Sequence, residues 1–169
     1  TLFAGCDDTY CNAPAYEQMN CAFDTRSAAV ADLLTCRNVD LLEHSMRLFA
    51  DDPLRQDFIA ATYPGPPGRV HALASFNWIM WLGDYYWYTA DRGLVDDLFP
   101  VVVDSITAAL AQRNDIGLYV GPPKSDDPDD DFQPVNGAEQ AGFAGALTAT
   151  MILAELVGGS ALSAVPVWE

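Results

Sequence analysis

An all-α fold built from helical hairpins is predicted by three features of the sequence. Apolar residues recur at three-to-four spacing through most of the chain. Alanine and leucine are abundant while β-branched runs are short, a balance that favours helices over strands. Short and long connections rich in glycine and proline alternate between the periodic segments, and no strand pattern competes with them. At 169 residues, 50% of them hydrophobic, the chain is long enough for one globular core, so a single domain over residues 1–169 is expected.

The stretch up to about Pro14, with Gly5, Asp7, Asp8 and Asn12 among small residues, reads as a loop. From Tyr16 or Thr25 a helical pattern sets in, with Val30, Leu33 and Leu34, then Leu41, Leu42, Met46 and Phe49. It breaks only around Arg37 and Asn38, giving one long helix or two in succession. Pro53 closes the segment, and the run from Tyr63 to Gly68 holds too much proline and glycine to continue either helix or strand. Residues 72–89 place Phe76, Trp78, Ile79, Trp81, Leu82, Tyr85 and Trp87 on every face, which predicts a helix buried all round. Asp91 to Asn114 spaces Leu94, Leu98, Val102, Ile106 and Leu110 at fours, with Pro100 as a possible kink. Gly121 to Pro134 is a long loop, and Gly137 to Val157 a helix whose small residues, Ala141, Gly142 and Gly145 among them, permit close packing.

Eight basic against 24 acidic residues leave a net charge of -16, a surface that repels phosphate backbones and anionic headgroups. Neither nucleic acid nor membrane is expected as a partner, while a neutral ligand remains compatible. There is no run of 18 apolar residues and no charged stretch followed by an apolar one at the start, so neither anchor nor signal peptide is expected. Thr1 and Glu169 carry no terminal signals, and the chain is expected to be part of something longer. Cys6, Cys11, Cys21 and Cys36 match no paired zinc-knuckle spacing. Cys6 and Cys11 are near enough to pair across a loop, with single thiols as the alternative. The compartment stays open, extracellular favoured over cytoplasmic by a small margin. His44 and His71 have no ligand at metal-binding spacing, and the Asp-rich run from Asp126 to Asp131 lacks the central glycine and closing glutamate of a calcium loop. No metal or other cofactor is expected.

The chemistry-bearing segment is Asp8-Thr9-Tyr10-Cys11-Asn12-Ala13-Pro14-Ala15-Tyr16-Glu17-Gln18, followed by Asp24-Thr25-Arg26. It resembles the α-L-rhamnosidase family of glycoside hydrolases, one branch of which reads Asp-Thr-Tyr-Cys-Asp-Cys-Pro-Thr-Tyr-Glu-Gln with an aspartate seven residues past the glutamate. A second likeness lies in Ser75-Phe76-Asn77-Trp78 with Asp84-Tyr85-Tyr86-Trp87-Tyr88-Thr89-Ala90-Asp91, similar to a helix ending in Tyr-Thr-Gly-Asp. The segment from Gly142 to Ala161 is similar to the family's alanine-rich helix.

The resemblance implies helical hairpins forming part of an (α/α)6 barrel, the six-hairpin glycosidase toroid, incomplete in five or six helices. It implies that residues 1–169 are part of one catalytic barrel domain, with the rest supplied by a longer chain. The implied reaction is hydrolysis of terminal α-L-rhamnosides with inversion, so the implied partner is a rhamnose-containing carbohydrate. Glu17 matches the general acid, and the base lies outside this chain. Substrate contacts are expected from Asp8, Asn12, Tyr16 and Asp24, from Trp78 as the one stripe aromatic reaching the pocket, and from Asp131 and Phe132 in the acidic loop. Asn12 stands where the family has an aspartate, and Cys21 and Phe23 where it has an aromatic and a glycine. Two alternatives stay open beside the enzyme: a degenerate carbohydrate-binding helical domain, and a purely structural helical scaffold.

Overall fold

A computed structural model describes residues 8–11, 19–64, 71–121 and 136–158. Among these residues there are five helices: α1 (Ala22–Thr35), α2 (Val39–Ala50), α3 (Ala72–Thr89), α4 (Arg92–Ala111) and α5 (Gly137–Val157). Pairing of the β type is limited to two isolated bridges, Cys21 with Thr62 and Arg113 with Tyr119. The fold is all-α.

Local chemistry sets each boundary. The chain breaks between α1 and α2 at Arg37, whose φ of 54° no helix accommodates, and Asn38 then caps α2 by accepting from the Leu41 N–H at 3.3 Å. His71 Nδ1 accepts from the Leu73 N–H at the start of α3, and Ala90 ends that helix in the left-handed region at φ 55°. Asp91 begins the next helix at once: its Oδ1 accepts from the Gly93 N–H at 2.8 Å and its Oδ2 from the Tyr85 hydroxyl at 2.7 Å. Asn136 caps α5, accepting from the Ala138 N–H at 2.9 Å. The segment after α4 is fastened to α5 by two bonds, Tyr119 N–H to Gln140 Oε1 at 3.1 Å and Gln140 Nε2 to the Tyr119 carbonyl at 2.6 Å.

The helices form two layers. In one, α3 lies between α1 and α5; in the other, α2 lies against α4, and α4 also packs on α3 and α5. Within the first layer the helices run parallel. Phe23 meets His71 edge-on at 5.3 Å and Arg26 reaches Met80 and Asp84, so α1 and α3 advance together. Gly142 faces Leu73, Gly145 faces Met80 and Gly83 faces Ala149, which fixes the same direction for α5. The second layer runs the other way: Arg92, at the start of α4, donates to the Val157 carbonyl at the end of α5 at 3.0 Å. Arg47 of α2 pairs with Asp97 of α4 at 2.8 Å.

Between the layers Leu42, Met46, Phe49, Phe76, Trp78, Trp81, Leu82 and Tyr85 are fully buried. At about 25 cal/mol per Å² of apolar surface removed from water, such large side chains dominate the stability of the domain. The expectation that residues 72–89 are buried all round is corrected at the C-terminal end of α3, where Trp87 is 82% and Tyr88 50% exposed. The Cys6–Cys11 bridge is not formed, since Cys11 is a free thiol; Cys6 lies outside the described residues. By length and composition α5 could cross a membrane, a test that a core helix also meets, and here it packs against α3 and α4.

Candidate functional site

A groove of about 380 Å³ runs between α1 and α3. Its α1 wall is Phe23, Arg26, Ser27 and Val30, which share one helical face by their spacing of three, four and seven. Its α3 wall is Asn77 and Asp84, seven residues apart on one face, with Trp87 and Tyr88 beyond them. The volume falls within the usual range for small-ligand sites, and the lining mixes aromatic side chains with a few polar groups.

One ion pair spans the groove: Arg26 Nε donates to Asp84 Oδ2 at 2.7 Å. Both side chains are partly exposed, so in energy the pair is a modest link between helices. Its geometric effect is larger, because it neutralises the cation on the wall and fixes the carboxylate's direction. Arg26 Nη1 also rests on Met80 Sδ at 3.4 Å.

The segment leading into α1 is anchored through its first matched residues. Thr9 and Ser45 share a hydrogen bond at 3.1 Å. The Tyr10 hydroxyl donates to Asp32 Oδ2 of α1 at 2.7 Å, and its ring meets Trp81 of α3 edge-on at 6.2 Å. Further along, buried Asn20 accepts from the Thr25 hydroxyl, and its carbonyl accepts from the Tyr63 N–H at 3.0 Å. Thr9 and Tyr10 are therefore structural ties that hold the segment against α1, α2 and α3.

The expected site residues separate into three groups. Glu17, Asn12, Tyr16, Asp131 and Phe132 lie outside the described residues. Asp8 is exposed at a bend, and Asp24 is exposed in the first turn of α1, next to Phe23 but not on the groove wall. Trp78 is the correction: it is fully buried, and its indole N–H donates to the Met46 carbonyl of α2 at 3.2 Å. One residue along a helix turns the side chain by about 100°, so Asn77, not Trp78, faces the groove. Asn77, Asp84 and Ser27 were not anticipated at the site; the seven-residue spacing of Asn77 and Asp84 was the signal available for two of them.

No family model matches the chain, and no curated protein matches it. Solved structures do. The GH78 family rhamnosidase of Bacillus sp. GL1 superposes with a TM-score of 0.81 at 19% identity, over 96% of this chain and 17% of that one. A rhamnosidase from Klebsiella oxytoca with rhamnose bound gives 0.71 at 20% identity, over 89% of this chain and 31% of that one. The chain has the fold of part of the rhamnosidase helical barrel. It spans less than a third of the length of either structure.

Proposed function

We propose that this chain is part of the catalytic helical barrel of a glycoside hydrolase that removes terminal α-L-rhamnose with inversion, Glu17 serving as general acid. One coincidence carries the reading: the Asp8–Asp24 motif, chosen for its likeness to rhamnosidases, leads into α1 of a helix layer whose fold matches two rhamnosidases. Glu17 must stay protonated near working pH to protonate the departing glycosidic oxygen. An inverting partner sits about 6.5–9.5 Å away across the sugar to activate water. That base, the rest of the barrel, and the single catalytic domain to which residues 1–169 contribute are assigned to a longer chain. Asp8, Asn12, Tyr16, Asp24, Asp131 and Phe132 remain assigned to substrate contacts around Glu17.

The test is release of a chromogenic aglycone from an α-L-rhamnoside by the full-length protein that contains this chain and by its Glu17→Gln variant. Removing the general acid should slow turnover by about 10²–10⁴-fold. Equal rates would take Glu17 out of the mechanism.

A second reading, a carbohydrate-binding domain without turnover, is favoured by Asn12 and Phe23. Asn12 cannot raise the glutamate's pKa by charge, and Phe23, where the family has glycine, stands in the groove wall. Sugar binding without hydrolysis, not restored by Asn12→Asp, would favour it.

A further inference from the structure

The polar groups of the α1–α3 groove are not all spent on the protein. Among the described residues the Asn77 amide has no hydrogen-bond partner, and Asp84 gives only Oδ2 to Arg26, leaving Oδ1 without a protein donor. Both residues are half-buried, which makes an unmatched polar atom more costly than on an open surface. Asp84 is also held in place. Arg26 grips it from the opposite wall and rests on Met80, and Met80 is itself backed by Gly145 of α5, where a Cβ would come within 2.5 Å of the sulfur.

A fixed carboxylate oxygen with a free lone pair is a strong acceptor for a hydroxyl. Because Arg26 is already neutralised by Asp84, the wall offers no uncompensated positive charge to an acidic sugar, and a neutral hydroxylated ring is the better fit. Trp87 and Tyr88 add apolar faces on which the C–H side of such a ring packs. We infer that Asp84 is a specificity-determining residue that accepts a hydrogen bond from one ring hydroxyl of the terminal sugar, with Arg26 as its positioning residue. The inference rests on the rhamnoside reading above and adds to it a residue outside the motif.

Isothermal titration of the full-length protein that contains this chain with L-rhamnose and its 2-, 3- and 4-deoxy derivatives tests it. Asp84→Asn keeps the side chain's size and an acceptor for Arg26 while removing the charge. It should weaken L-rhamnose binding about 10-fold, which is about 1.4 kcal/mol. One deoxy derivative should bind the wild type as weakly, and that derivative should lose nothing further in the variant, since the hydroxyl and its acceptor are one interaction. Arg26→Gln should reproduce the pattern with a smaller loss, and circular dichroism of both variants establishes that they fold. An unchanged affinity in Asp84→Asn, or an equal loss across every derivative, overturns the inference alone. No binding of L-rhamnose by the wild type overturns the rhamnoside reading and this inference with it.

Discussion

At the scale of single residues, two buried tyrosines show how surroundings set chemistry. Burial, and secondarily the charge of Glu139, pushes the Tyr119 phenol up to about 12. Burial, then the bond to Asp91, raises Tyr85 as well. Both shifts hold the neutral phenol in the folded state against an unfolded value near 10. Their contribution to stability is therefore complete below about pH 10 and lost as pH rises toward 12. The melting temperature should fall across that window, with a gentler slope in Tyr119→Phe; identical slopes would show that Tyr119 has no part in it. Asp91 behaves in the opposite sense. The Tyr85 hydroxyl, and then the Gly93 N–H, hold its carboxyl below the usual range, so its contribution is present above about pH 4 and lost under more acid conditions.

At the scale of elements, Ala90 is the clearest lever. It ends α3 at φ 55°, a conformation that costs an L-residue about 1 kcal/mol relative to glycine, and its side chain is exposed. Ala90→Gly should stabilise the domain by about 1 kcal/mol, read as a higher denaturation midpoint at unchanged slope; a lower midpoint would refute the strain. The likeness to a helix ending in Tyr-Thr-Gly-Asp thus has a backbone reason, since this is where a glycine is wanted. Most elements were legible in the same way. The bounds of α5 agree with the sequence expectation, and the break at Arg37 and Asn38 resolves into two helices. The site was less legible, because its decisive contact joins Arg26 to a residue 58 positions away. The choice of Trp78 failed for a local reason. Aromatic size marks a residue as important without saying which side of the helix carries it, and here Trp78, Trp81 and Tyr85 fill the interlayer core while Asn77 and Asp84 face the groove.

At the scale of the whole molecule, the net charge of -16 acts on everything at once. Self-repulsion destabilises a compact state, and raising salt from about 0.01 M to about 0.15 M shortens the screening length from about 30 Å to about 8 Å. The melting temperature should rise over that range. A flat or falling response would mean that local ion pairs such as Arg47 with Asp97 outweigh the global term. The parallel run of α1, α3 and α5 has an electrostatic consequence of its own. Peptide dipoles add along a helix to roughly half an elementary charge, positive where the helix begins. Three helices that begin at the same end of one layer pool those positive ends, while α2 and α4, running oppositely, begin at the other. A strongly acidic chain therefore carries one pole favourable to electron-rich atoms. Asp24 and Glu139 stand at that pole, in the first turns of α1 and α5.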